Sequence, residues 1–166
     1  MSTDEPRPTT AEPAELFAAY LDFYREKSIE KVAALSVEEQ RSTRVPSGWT
    51  PLELLHHVAY MERRWFVWGF LGEDVGDPWG DGEGERWTMP ADRDLAWVVE
   101  MLRGTGARVA GVLASTSLQT PAALGGRFTE DPPMLGWVCF HVLQEYARHV
   151  GHLDVVVELS GGPTGE

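Results

Sequence analysis

Between residues 141 and 152, four side chains of metal-binding type, His141, Glu145, His149 and His152, are spaced by four, four and three residues. On an α-helix that spacing stacks them along one face. Val142, Tyr146, Val150, Leu153 and Val156 flank the stripe, so this face looks into an apolar interior. Burying a carboxylate and imidazoles is unfavourable by several kcal/mol unless each is hydrogen-bonded, paired or coordinated. The chain must therefore cover a long helix with other elements and supply partners for its polar stripe.

Three further stretches have the apolar period of amphipathic helices. The first runs from Pro13 to about Leu35 through Leu16, Phe17, Tyr20, Leu21, Tyr24, Ile29 and Val32. Ser36 with Glu39 fits a capping box for a short helical turn, before Val45-Pro46-Ser47-Gly48 breaks the chain. The second helix has the clearest start: Thr50 at N-cap, Pro51 at the first helical position and Glu53 at the reciprocal capping position. It is expected to reach Phe70 or Leu71 and stop at Gly72. Residues 73–89 are rich in Gly, Asp and Trp without periodicity and read as a long loop, either a cover for a pocket mouth using Trp79 or Trp87 or a mobile connection.

The third helix spans Asp92 to about Ser115, weakened locally by Gly104 and Gly106. After a Gly- and Pro-rich connection, the fourth, which carries the polar stripe, runs from Met134 to Leu159 and ends before Gly161-Gly162. No useful length alternates with the period of strands. The expected fold is all-α, a four-helix bundle with long crossover loops. Residues 12–160 form the bundle, between a flexible tail at 1–11 and a short one at 161–166.

Lys and Arg total 14 against 26 Asp and Glu, a net charge of −12. That balance argues against nucleic acid and against an anionic membrane surface. No apolar run approaches the ~20 residues that span a bilayer, and MSTDEPRPTT lacks the layout of a signal peptide, so a cytoplasmic location is expected. Cys139 is the single cysteine, which excludes an internal disulfide or a thiolate cluster within the chain. In the run Leu135-Gly136-Trp137-Val138-Cys139-Phe140 it reads as a small buried hydrophobe. The seven tryptophans are expected mainly to fill the core, with some available to line a pocket or a homodimer interface.

All five histidines fall in two helices, His56 and His57 on the second and His141, His149 and His152 on the fourth. Glu145 and His149, at i and i+4, can reach one ion from successive turns. His57 is the expected third ligand, because Leu54, Val58 and Met61 turn its side of the second helix inward. Three protein ligands leave positions open for water or a substrate thiolate. Against this stand plainer readings: Glu145 and His149 as an ion pair, and His141 as a core residue hydrogen-bonded to a neighbour. His56, about 100° around the helix from His57, is expected at the surface or supporting the ligands. His152 is a fourth ligand, a proton carrier or a supporting neighbour; Arg148 and Asp154 are expected in surface or interhelical ion pairs.

The segments Leu54-Leu55-His56-His57-Val58-Ala59-Tyr60-Met61-Glu62 and Glu145-Tyr146-Ala147-Arg148-His149-Val150-Gly151-His152-Leu153-Asp154 resemble the DinB-like superfamily. The closer resemblance is to its branch related to mycothiol-dependent maleylpyruvate isomerase. The resemblance extends over nearly the whole chain and implies a four-helix bundle with a divalent metal, zinc or nickel, held at the positions of His57, Glu145 and His149. It further implies a thiol cosubstrate such as mycothiol, whose metal-bound thiolate attacks an electrophilic substrate. The isomerase carries an additional C-terminal domain, while this sequence ends at Glu166, so a small thiol S-transferase is expected rather than an isomerase. The alternative is a non-catalytic metal-binding or stress-related interaction module.

Overall fold

The amide of Glu53 donates to the Thr50 hydroxyl at 3.3 Å, and the Glu53 carboxylate accepts the Thr50 amide at 2.8 Å. This reciprocal capping box, with Pro51 at the first turn, starts the helix that carries His57 where the sequence places it. The chain, a computed structural model describing residues 5–7, 9 and 12–163, contains α1 (Pro13–Ala33), α2 (Val37–Gln40) and α3 (Pro51–Arg63). The last continues as a π-helical segment (Arg64–Phe70). A short hairpin follows, β1 (Gly82–Glu83) with β2 (Arg86–Trp87), and then α4 (Leu95–Ser115) and α5 (Leu135–Leu159). The tails expected at 1–11 and 161–166 lie largely outside the described residues; Glu5 accepts a hydrogen bond from the Tyr20 hydroxyl at 3.1 Å.

The four long helices close into a bundle: α1 packs on α5 and α4, and α3 packs on α4 and α5. Leu21, Leu54, Leu55, Val58, Val98, Leu102, Val138, Val142 and Leu153 are fully buried along its axis. Complete burial of such side chains contributes roughly 1.5–3 kcal/mol each, which makes this axis the main source of stability. A polar cluster stands within it. The Glu62 carboxylate receives Arg25 from α1 at 2.6 and 3.2 Å and the Tyr146 hydroxyl from α5 at 2.9 Å. Gly106 makes room for it, since a Cβ there would lie 2.5 Å from the Arg25 guanidinium carbon.

Three features depart from the sequence expectation. The loop at 73–89 contains the small antiparallel hairpin, with Gly82 opposite Trp87 and Glu83 opposite Arg86. The end of the second helix widens into the π-helical segment, where the Leu71 amide donates to the Phe66 carbonyl at 2.9 Å. The Trp68 and Phe70 carbonyls there accept the amides of Arg127 and Ala123, which sews the 116–134 connection to this end of the bundle. None of the seven tryptophans is fully buried, and Trp79 and Trp137 are exposed. Aliphatic side chains with Phe66 and Tyr146 fill the axis, and Trp49, Trp65, Trp87 and Trp97 are partly buried against it.

Candidate metal centre

His57 on α3 and His149 on α5 meet edge to face with ring centroids 5.0 Å apart. One turn back on α5, the Glu145 carboxylate lies 3.3 Å from Nε2 of His149. The two helices thus bring together all three side chains singled out by spacing. Among the described residues, no group of three or more His, Cys, Asp or Glu stands as it is in an arrangement that could hold a metal ion.

His57 is fixed from outside the bundle. Its Nδ1–H donates to Asp81 at 2.7 Å, and an ionised carboxylate can only accept, so the neutral ring keeps its lone pair on Nε2. Asp81 is buried and is also gripped by both terminal nitrogens of Arg64. Burial alone would raise the Asp81 pKa, but the hydrogen bonds from His57 and Arg64 outweigh it and hold the acid below its ordinary value. Trp87 of β2 lies flat on the His57 ring at 4.4 Å and meets His149 by its edge at 5.4 Å. The hairpin is therefore the wall of the site, whereas Trp79 from the same loop packs on Arg64 and Arg127 instead.

His149 is buried, and neither of its ring nitrogens has a hydrogen-bond partner. The 3.3 Å approach of Glu145 lacks hydrogen-bonding orientation. Burial, reinforced by His57, His152 and Arg148, drives the His149 pKa down to about 3, so the ring is neutral at pH 7 with a lone pair to offer. An orphaned imidazole in an apolar setting, beside a carboxylate and a second imidazole, suits a divalent cation as a common partner. His152 lies at the exposed edge, 5.5 Å from His149 and 6.3 Å from Trp49.

The remaining histidines fall elsewhere. His56 is not at the surface: it is completely buried, donating from Nδ1 to the Thr88 carbonyl at 2.7 Å and packed against Tyr60 and Trp97. Its pKa is lowered by burial. The loop after α3 folds back over this helix and covers His56 as well as His57. His141 is half-buried between Trp65, at 4.2 Å, and Trp137, nearly parallel at 5.2 Å. Cys139 is fully buried with its thiol pushed up to about 12 by burial, which removes it as a nucleophile. Asp154 pairs with Lys31 of α1, and Arg148 stands 3.7 Å from Glu145.

Sequence reasoning missed Asp81 and Arg64. Asp81 is one of three aspartates in an aperiodic loop, and only the return of the hairpin onto α3 distinguishes it from Asp74 and Asp77.

A family model described as mycothiol-S-transferase matches residues 16–162. The fold is similar to the crystal structure of a DinB-like protein from Bacillus cereus ATCC 10987, with a TM-score of 0.63 over 92% of this chain and 95% of that one. Sequence identity with it is 14%, so this likeness concerns the fold. No curated protein matches the chain.

Proposed function

The chain belongs to the mycothiol-S-transferase family, within the DinB-like superfamily, and from that premise we propose that it is a metal-dependent enzyme that transfers a low-molecular-weight thiol of the mycothiol type to an electrophile. The observation that carries this reading is the buried, unpartnered His149 beside Glu145 and His57. These three side chains would hold the ion, with zinc or nickel favoured by imidazole donors. When bound, such an ion lowers the pKa of a coordinated thiol and so supplies a thiolate at neutral pH.

The protein's own groups do the rest. Asp81 keeps the His57 lone pair on Nε2. Trp87 shields the imidazoles from water on the hairpin side, and Trp49 backs it at 5.9 Å. His152 stands at the open edge, where it can pass a proton to solvent. A small-molecule thiol and an electrophile are thus the partners. No helix among the described residues is long and apolar enough to cross a membrane, and we place the protein in the cytoplasm, acting on neither nucleic acid nor membrane.

A second reading, a non-catalytic interaction module, is favoured by one observation. Between α1 and α5 an apolar groove of about 530 Å³ is lined by Leu16, Phe17, Tyr20, Phe140 and Leu143. Such a face also suits a homodimer.

Elemental analysis of protein purified without chelators or nickel resin, followed by titration with mycothiol and an electrophile such as monobromobimane, tests the proposal. One metal per chain, lost in His57→Ala and His149→Ala, with metal-dependent thiol consumption above background, is the expected result. Metal-loaded protein that consumes no thiol leaves the interaction module as the better reading.

A further inference from the structure

A second cluster lies beside the candidate metal centre. The Arg127 guanidinium sits over the ring of Trp65 at 4.2 Å, with Trp79 at 5.5 Å and Trp68 at 5.8 Å. Its Nη1 is buried and has no hydrogen-bond partner. Aromatic faces attract a cation but accept no N–H along a lone pair, so a buried charged donor is left short of an acceptor. The buried Asp81 carboxylate is already committed, shared by Arg64 and His57. Arg64 adds a second positive charge close enough, with burial, to lower the Arg127 pKa. In a chain of net charge −12, this is a localised positive cluster walled by aromatic rings.

The backbone builds this arrangement deliberately. Arg64, Trp65 and Trp68 all come from the π-helical segment, a rare geometry that recurs at functional sites. The Arg127 amide is anchored on the Trp68 carbonyl at 3.1 Å, which fixes its side chain against those rings. Trp65 also touches the stacked pair Trp137 and His141. His141 is one helical turn, about 6 Å, before Glu145, and Arg64 reaches His57 through Asp81, so two short routes lead to the trio.

We propose that Arg127, walled by Trp65, Trp68 and Trp79 and bordered by Trp137 and His141, is a binding site for a planar organic carboxylate. The carboxylate takes the unpartnered Nη1–H donors in a charge-assisted contact, and the flat body of the ligand stacks on an indole face. Trp79, 54% exposed and carried by the loop after α3, is the wall that shifts to admit it. That the bound carboxylate is the electrophilic cosubstrate rests on the thiol-transfer reading above; the site itself does not.

Tryptophan fluorescence reads the cluster directly. Benzoate should quench it saturably and bind at least about tenfold more tightly than the uncharged, equally planar benzamide, as expected for a charge-assisted contact. In Arg127→Met, which keeps the packed stem, that preference should fall below about twofold. Trp137→Ala, at a 54% exposed ring, should weaken both ligands alike and carries the test if the arginine variant fails to fold. The preference should be equal in chelator-dialysed and zinc-loaded protein. Absence of saturation by benzoate, an undiminished preference in Arg127→Met, or binding seen only with zinc would each overturn the proposal. A protein that consumes no thiol yet keeps the benzoate preference would sink only the thiol-transfer reading.

Discussion

Asp81 accepts the Nδ1–H of His57 at 2.7 Å across 24 residues of chain, from a loop with no helical period to the middle of α3. The same carboxylate holds Arg64 at the start of the π-helical segment. One buried acid thus orients an imidazole of the candidate metal centre and positions a guanidinium of the neighbouring aromatic cluster.

Asp81→Asn should weaken zinc binding about 10–100-fold, the usual consequence of losing the carboxylate behind a ligating histidine. The amide can still accept from His57 and Arg64, so the fold should survive with a loss of about 1–3 kcal/mol. Competition against a chromophoric chelator measures the affinity, and urea unfolding of the metal-free protein measures the stability separately. An unchanged zinc affinity in a destabilised variant would make Asp81 a purely structural anchor of the hairpin.

His149→Leu should act in opposite directions with and without metal. Metal-free, the wild-type chain buries two imidazole nitrogens with no partner, and replacing them by an apolar side chain of similar size should stabilise it by about 1–3 kcal/mol. With zinc added, the wild type should gain stability by mass action while the variant gains none. Parallel urea titrations with and without zinc decide this. A destabilised metal-free variant would mean that His149 already has a satisfying partner.

The fold was legible in the sequence because its signals are local. Thr50, Pro51 and Glu53 mark a helix start whatever surrounds them, and Leu95 through Leu113 display the spacing of an amphipathic helix. The approach of His57 on α3 to His149 on α5 was legible for a similar reason, since both sit on inward-facing stripes of helices that pack together. The π-helical segment was not. Arg64-Trp65-Phe66-Val67-Trp68-Gly69-Phe70 is as compatible with an α-helix, and its wider turn is selected by hydrogen bonds from Ala123 and Arg127, far away in the chain. The burial of His56 depended likewise on the return of Thr88. The indoles followed the expectation in part: Trp49, Trp65, Trp87 and Trp97 pack against the core without being fully buried, while Trp79 and Trp137 stay exposed.

The half-buried His141 should contribute to acid sensitivity. Burial holds its folded-state pKa below the ordinary value near 6.5, outweighing the attraction of Glu145, with Arg127 and Arg148 adding to the depression. As pH falls through about 6.5 the unfolded chain takes up the proton first, so the stability present above that pH is progressively lost down to the folded-state pKa. His149 and His56 shift in the same direction. In metal-free protein, His141→Phe should therefore retain acid destabilisation but with a shallower slope between about pH 6.5 and 5, by at most one proton. Urea midpoints across that range give the comparison; superimposable slopes would show that His141 titrates normally.

The glycines of α4 separate helix propensity from packing. Ordinarily Gly→Ala inside a helix gains about 0.5–1 kcal/mol. At Gly104 and Gly111 an added Cβ meets nothing within 4 Å, so Gly104→Ala and Gly111→Ala should each be stabilising by that amount. At Gly106 the same methyl would lie 2.5 Å from the Arg25 guanidinium carbon and 2.7 Å from two of its nitrogens. That side chain cannot swing away cheaply, since it is buried and donates to Glu62 and to Asp22. Moving it would leave the completely buried Glu62 carboxylate with only the Tyr146 hydroxyl. Gly106→Ala should thus be destabilising by about 1–3 kcal/mol net of its propensity gain, the usual range for overpacking a core. Thermal unfolding of the three single variants side by side tests this. A stabilised Gly106→Ala would show that Arg25 has an alternative position, and the buried link between α1, α3 and α5 would then be dispensable.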